Sequence, residues 1–327
     1  HALAMGGFLI LLKAPRTGRR VGAAALLFAL AFFVKHNVAV MAAATVLWLF
    51  FADRKAALRL AGAGLAFLAA GLLSFRLAYG VSFFSVVASA RSYDPALTAA
   101  GLKAWLGWNG IAVLALAALL LRRRRDGAVR LVLIYAGLGI FVGLVFLGGA
   151  GVDANALFDA DIALALAAAL ALDRLGGTPR LAGVTALALA APVLWGAWQA
   201  SGNERFSAAF WLAPGRAEAA LSESDIAFVR AHPGPALCAL PSFCTWAGKP
   251  VAVDFFNAGE AFKTGARSDA DLVRRIRSGA FSVIQLDPGA PAPLGQAAAA
   301  AMAAAYRLDH ADDCGSFYVP IDPPARD

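Results

Sequence analysis

Long apolar runs separated by short basic clusters are the feature that most constrains this chain. Ala, Leu, Val, Phe and Gly dominate residues 1–199, and a membrane-spanning helix needs about 20 predominantly apolar residues. Eight apolar runs are present: 1–12, 21–34, 37–51, 60–78, 105–121, 131–149, 156–173 and 181–199. The sequence therefore predicts an all-α transmembrane bundle of about eight helices over residues 1–199. The less apolar remainder, 200–327, is predicted to be a small soluble α/β domain.

The basic residues of the first part lie between these runs. They form four clusters: Lys13 to Arg20, Arg54 to Arg59, Arg122 to Arg130, and Arg174 with Arg180. Because membrane proteins keep Lys and Arg in cytoplasmic loops, the net charge of +8 indicates topology and does not indicate nucleic-acid binding. We therefore expect a multi-pass protein of the bacterial inner (plasma) membrane. Its loops near 35, 79–104 and 150–155, and everything after residue 199, are predicted to be extracytoplasmic.

Two short runs, 21–34 and 37–51, meet at Lys35-His36-Asn37. A tight helical hairpin with this corner at the outer interface keeps all basic clusters on one side. A single long helix would instead bury Lys35, at a cost of about 2.5–3.5 kcal/mol, so we expect the hairpin. The first run begins at His1 without an initiator Met or a charged leader region. The sequence is therefore interpreted as the C-terminal part of a longer protein.

The soluble part contains the chain's three cysteines. Cys238 and Cys244 flank Pro241 and could form a local disulfide in an oxidising compartment. Cys314 is then either free or a replacement for one of the pair. No CxxC or HxxxH spacing supports a metal site, so none is predicted in this chain. An amphipathic helix over 268–279 and a buried strand over 281–286 are expected.

Polar residues at the edge of a membrane bundle are functional candidates. Lys35 could hold a phosphate group as a point charge, with Asn37 hydrogen-bonding beside it. The alternative is a lysine that snorkels to the headgroups from a helix corner. Arg91, in the loop 79–104, could contact a lipid phosphate or could be a solvated loop residue.

A second group of polar residues opens the seventh run. Asp153 or Asn155 could simply cap the helix. Asp159 and Asp161 lie inside the apolar run, where capping does not account for them. We therefore expect Asp159 to face a polar cavity.

Three segments resemble the polytopic membrane glycosyltransferases of the GT-C class, the family-39-like proteins. The first is the corner Lys35-His36-Asn37 between a short apolar run and a second run that ends at Trp48 to Phe51. The second is the order Gly151, Asp153, Asn155 and Asp159, which resembles a glycine and polar pattern that leads into a later helix. The third is the stretch 244–250, CTWAGKP, which is similar to a loop in the periplasmic tails of these proteins.

This resemblance implies sugar transfer from a polyprenyl-phosphate-linked donor at the extracytoplasmic face, to an acceptor that the sequence does not identify. The reaction would be inverting and assisted by a divalent metal, Mg or Mn, whose ligands are not in this chain. The catalytic acidic pair is expected upstream of residue 1. Lys35 would lie near the donor phosphate and Asp159 would help line the cavity. Two rival interpretations are a transporter or lipid flippase, and a non-catalytic membrane anchor of a periplasmic binding domain.

Overall fold

The structure is a computed structural model that describes residues 1–12, 15–35, 38–87, 91–121, 124–174, 216–287 and 294–321. It also describes scattered positions between 180 and 198. The chain divides into two compact units. The first comprises His1–Ser85 and Tyr93–Trp198, and the second comprises Val86–Ser92 and Gln199–Asp327.

The described part of the first unit is helical. Its helices are α1 (Ala2–Leu12), α2 (Gly18–Val34), α3 (Val40–Ala52), α4 (Arg54–Val87), α5 (Pro95–Leu121), α6 (Gly127–Leu147) and α7 (Phe158–Arg174). A 3₁₀ turn, Ala154–Leu157, leads directly into α7. Three described stretches are long and apolar enough to cross a membrane: Arg54–Val81, Gly127–Leu147 and Ala154–Asp173.

These three spans are fewer than the eight that the apolar runs predicted. Helices α1 and α3 contain only 11 and 13 residues. At a rise of 1.5 Å per residue they extend about 17 and 20 Å, short of the roughly 30 Å hydrocarbon core. The last predicted run, 181–199, lies mostly outside the described residues.

The chain leaves α2 at Lys35, whose backbone is extended, and re-enters helix at Val40. Two separate helices therefore replace the single long helix that was the alternative. They do not lie along each other as a tight hairpin would. Helix α2 packs along α1, and α3 packs against α6.

The predicted outer loop 79–104 is shorter than expected. Helix α4 continues to Val87, with one non-helical residue at Gly80, and α5 already begins at Pro95. Gly80 has φ of 73°, a left-handed conformation that glycine adopts without the steric cost of a Cβ atom.

Three of the basic clusters meet at one end of the first unit. The Arg16 guanidinium lies over the Trp48 ring at 5.1 Å and 3.9 Å from Asp53. Arg54 lies over Phe50 and Arg130 over Phe51, at 5.2 and 5.7 Å. The Trp48 indole donates a hydrogen bond to the carbonyl of Gly127 at 3.0 Å. One arginine from each of these three clusters thus lies over a different aromatic residue near the C-terminal end of α3.

Helices α6 and α7 approach closely through small residues. Gly139 and Gly143 form a GxxxG pair on α6, a pattern that lets helix backbones come together in membranes. A Cβ atom at Gly139 would lie 2.9 Å from the backbone nitrogen of Ala160, and one at Gly143 would lie 2.9 Å from the carbonyl oxygen of Ala156. The facing side of α7 is alanine, buried at Ala160, Ala163, Ala167 and Ala171. This packing fixes the position of the polar residues at the start of α7.

The second unit is a small α/β domain. Its helices are α8 (Arg216–Ala231), α9 (Pro241–Trp246), α10 (Phe255–Lys263), α11 (Ala270–Arg277) and α12 (Gln296–Ala305). Its strands are β1 (Ala236–Cys238), β2 (Val283–Leu286), β3 (Tyr306–Asp312) and β4 (Gly315–Pro320). The sheet has the order β1-β2-β4-β3, with β1 parallel to β2 and the other two pairs antiparallel. The core lies between this sheet and the helices and includes Phe255, Leu272, Ile276, Phe281 and Ile284.

The amphipathic helix 268–279 is confirmed as α11, which buries Leu272, Val273 and Ile276. A disulfide joins Cys238, at the end of β1, to Cys244 in α9, and Cys314 is the free thiol. The bond closes the turn through Pro241.

Candidate functional site

Asp159 is a buried carboxylate at the start of α7, only 6% exposed. The Tyr135 hydroxyl on α6 donates a hydrogen bond of 2.6 Å to its Oδ1. Its other oxygen, Oδ2, lies 3.5 Å from Nε2 of His1, whose side chain is 30% exposed. The Asp159 cluster, defined as Asp159, Tyr135 and His1, therefore joins a buried acid at the start of α7 to a tyrosine on α6 and to the residue that precedes α1.

Asp161 has a separate partner. The indole of Trp105, on α5, donates a hydrogen bond of 2.8 Å to Asp161 Oδ1. Trp105 is buried, whereas Trp108 on the same helix is exposed. The two acids that capping did not explain are both hydrogen-bonded to aromatic side chains on neighbouring helices.

Sequence reasoning missed Tyr135 and Trp105. A tyrosine in the middle of an apolar run is a signal, because its hydroxyl needs a partner when buried. The sequence nevertheless did not say which polar group on another helix would meet it.

The other predicted site residues fall in several places. Lys35 is exposed at the end of α2, and Asn37 lies outside the described residues. The Asp153 carboxylate accepts a hydrogen bond from the Ala154 backbone N–H at 2.6 Å, as a cap of the 3₁₀ turn. Asn155 is half-buried within that turn. Three predicted residues, Asp153, Asn155 and Asp159, therefore share one short segment.

Arg91 belongs to the second unit, with the stretch Val86–Ser92. Its guanidinium lies over the Phe256 ring at 5.1 Å. The next residue, Ser92, binds the carboxylate of Glu260 through its backbone N–H at 2.8 Å and its hydroxyl at 2.6 Å. The structure thus places Arg91 in a packing contact within the C-terminal domain.

Glu260 is 3% exposed and receives a third hydrogen bond from the Lys263 ammonium, at 2.9 Å. Hydrogen bonds from Ser92 and Lys263 to the charged carboxylate lower the pKa of Glu260 to about 2 and outweigh the opposing effect of burial. Donors that favour the ionised form account for the direction of this shift.

Lys249, in the CTWAGKP stretch, is bound by neutral oxygens. Its ammonium donates to the carbonyl of His232, to the carbonyl of Gly234 at 2.9 Å and to the Ser282 hydroxyl at 3.1 Å. Burial lowers the pKa of Lys249. These contacts tie the end of α8 to the start of β2, so the lysine of the resemblance motif has a structural role here.

Replacing Lys249 with Met should destabilise the second unit by about 1–3 kcal/mol, because hydrogen bonds to a charged donor are lost while the aliphatic stem is kept. Pulse proteolysis in increasing urea would measure this, with cleavage within 232–282 quantified by mass spectrometry. Arg277→Met, at an exposed position of the same unit, is the control. An unchanged urea midpoint for Lys249→Met would contradict the structural role.

The second unit also contains a cluster of potential metal ligands that the sequence did not predict. One ligand atom each from Asp225, His310 and Asp312 lies within 4.8 Å of the other two. Asp225 is on α8 and the other two are on β3. Because Asp225 and His310 are 85 residues apart, no motif with a short, fixed spacing would identify the group. Cys314 lies nearby: burial above all, and then the Asp225 and Asp312 carboxylates, raise the pKa of its thiol.

No protein-family model, curated protein or solved structure matches this chain. The similarity to membrane glycosyltransferases therefore rests on the sequence segments alone and stays a prediction.

Proposed function

We propose that this chain is the membrane-embedded part and C-terminal domain of a glycosyltransferase that uses a polyprenyl-phosphate-linked sugar. The observation that carries the proposal is the Asp159 cluster, a buried carboxylate that binds Tyr135 on a neighbouring helix and is preceded in the chain by Asp153 and Asn155. Asp153, Asn155 and Asp159 are also the residues, with Gly151, on which the sequence resemblance rests. In this proposal the bundle has about eight spans and holds the site at one face of the bilayer. Three helices of the described structure are long and apolar enough to cross a membrane.

The chemistry requires two kinds of groups. As the sugar leaves, negative charge develops on the polyprenyl phosphate, and a cation such as Lys35 would stabilise it. The acceptor hydroxyl must lose its proton to a carboxylate, which we place upstream of His1, together with the ligands of a divalent Mg or Mn ion. Tyr135 donates to Asp159 Oδ1, and Oδ2, which lies 3.5 Å from His1 Nε2, would accept a further hydrogen bond from a sugar hydroxyl.

The proposed function requires that the basic end of α3 and the second unit lie on opposite sides of the membrane. Three basic clusters meet at the C-terminal end of α3, which supports a cytoplasmic location for that end. The Cys238–Cys244 disulfide supports an oxidising, extracytoplasmic location for the second unit. In intact spheroplasts, a membrane-impermeant maleimide should label Cys314 after mild unfolding; labelling only after lysis would reverse the orientation.

The central test is turnover of a polyprenyl-phosphate sugar by the complete protein in proteoliposomes. Lys35→Ala and Asp159→Asn should each lower turnover at least about 10-fold, equivalent to about 1.4 kcal/mol of transition-state stabilisation. Lys55→Ala and Asp173→Asn change exposed residues of the same types and should retain turnover.

The same assay separates the rival functions. A transporter or flippase would move the lipid-linked sugar across the bilayer without cleaving the sugar–phosphate bond. A non-catalytic anchor would do neither. Turnover like that of the wild type in both Lys35→Ala and Asp159→Asn would remove these two residues from the site.

A further inference from the structure

We propose that Asp225, His310 and Asp312 form a binding site for one divalent transition-metal ion, with Zn²⁺ as the best match, in the second unit. The inference does not depend on the transferase activity or on the Mg or Mn ion expected upstream. The three ligand atoms already lie within 4.8 Å of one another. Ligands of one tetrahedral Zn²⁺, with bonds of about 2.1 Å, are about 3.4 Å apart. The three ligand atoms therefore have to approach one another by at most about 1.4 Å, which side-chain rotations supply.

One residue of this cluster, Asp225, has a buried oxygen without a hydrogen-bond donor among the described residues. Asp225 is 2% exposed, and its Oδ2 accepts no hydrogen bond from any of the described residues. Its Oδ1 has a long contact of 3.4 Å with His310 Nε2. A buried carboxylate without adequate partners is costly, and metal coordination is one of the ways in which proteins satisfy it.

Metal-binding histidines commonly have a carboxylate at the ring nitrogen that faces away from the metal, and His310 has such a partner. Its Nδ1 lies 3.0 Å from Asp309 Oδ2, so Nδ1–H can donate there and leave the Nε2 lone pair directed at Asp225. A carboxylate on the far nitrogen fixes the tautomer and makes the imidazole a better ligand. The ring is also held in place, since it stacks on Phe317 at 4.6 Å and meets the edge of Phe228 at 4.7 Å.

Asp312 is oriented by the hairpin turn. Its Oδ1 accepts the backbone N–H of Cys314 at 2.8 Å, which leaves the second oxygen for the metal. One imidazole and two carboxylates favour Zn²⁺ or Mn²⁺, whereas Ca²⁺ and Mg²⁺ prefer all-oxygen sites. Three protein ligands leave one tetrahedral position open to water or to another side chain.

Isothermal titration calorimetry on the complete chain in detergent, after chelator treatment and in non-reducing buffer, tests the proposal. The disulfide stays intact in this buffer, so Cys238 and Cys244 cannot compete for Zn²⁺. We expect one Zn²⁺ per chain, bound at least 100-fold more tightly than Mg²⁺. Asp225→Asn and His310→Gln should each weaken Zn²⁺ binding by 100-fold or more. Asp309→Asn should weaken it 10- to 100-fold, as removal of an outer partner does.

Two control variants distinguish Zn²⁺ binding at the cluster from adventitious Zn²⁺ binding elsewhere on the chain. His232→Gln removes a histidine of the same unit that lies outside the cluster, and Asp271→Asn removes an exposed carboxylate; both should bind Zn²⁺ like the wild type. Pulse proteolysis in urea confirms that each variant is folded. Failure of the wild type to bind Zn²⁺, or equal binding by the wild type and the folded Asp225→Asn variant, would overturn the proposal.

Discussion

Replacing Gly139 with Leu should force helices α6 and α7 apart and destabilise the first unit by about 3 kcal/mol or more. The new Cβ atom would lie 2.9 Å from Ala160 N and 3.0 Å from Asp159 C. Because these are backbone atoms, no side-chain rotation relieves the collision, and overpacking of this kind exceeds the usual cost of an extra methylene. The shift would also draw Tyr135 away from Asp159.

Gly137→Leu is a matched control, since a Cβ atom at Gly137 on the same helix meets nothing within 4 Å of the described structure. Both variants add the same side chain to α6. Unfolding by sodium dodecyl sulfate in mixed micelles, followed by tryptophan fluorescence, would compare them. Equal midpoints for the two variants would show that α6 and α7 do not pack through Gly139.

The second large effect is expected at Glu260. Glu260→Ala leaves the backbone N–H and hydroxyl of Ser92 without their acceptor and should destabilise the second unit by about 2–4 kcal/mol. The wild type should show a related loss in acid. The pKa of Glu260 falls from 4.5 to about 2 on folding, so its contribution is complete above about pH 4.5. It is lost as the pH falls towards 2, and amounts to about 3 kcal/mol.

Pulse proteolysis in urea measures both effects, with thermolysin near neutral pH and pepsin below pH 5. Cleavage within 255–277 reports the second unit. Glu223→Gln, at an exposed position on α8, should keep the acid response of the wild type. In Glu260→Gln, the decline between pH 4.5 and 2 should be smaller. An identical decline in that variant would assign acid sensitivity to other carboxylates.

Local patterns in the sequence predicted the elements better than the contacts between them. The alternation of Leu272, Val273 and Ile276 with arginines is enough to predict α11, because a helical period places the apolar residues on one face. The apolar runs likewise predicted helical segments. The observed helix ends differ from the ends of the predicted runs, because helix length depends on where the chain turns. Helix α5 starts at Pro95, ten residues before the predicted run, and α4 extends past Gly80.

The partners of the polar residues could not be predicted. Asp159 was singled out because it interrupts an apolar run, yet its bond to Tyr135 depends on the close approach of α6 and α7. Asp225 and His310 are 85 residues apart, and their side chains meet only in the folded domain. For Arg91 the sequence left open a lipid phosphate contact and a solvated loop position. Its position over Phe256 depends instead on which unit the segment before α5 joins.

The assignment of Val86–Ser92 to the second unit has a practical consequence for dissecting the protein. A soluble fragment that begins at residue 216 would contain every described strand and the cluster around Asp225. It would nevertheless lack Ser92, and Lys263 alone would then donate to the Glu260 carboxylate. Such an excised piece should be less resistant to acid and urea, and a synthetic peptide covering 86–92, added in trans or fused by a short tether, should restore part of the difference.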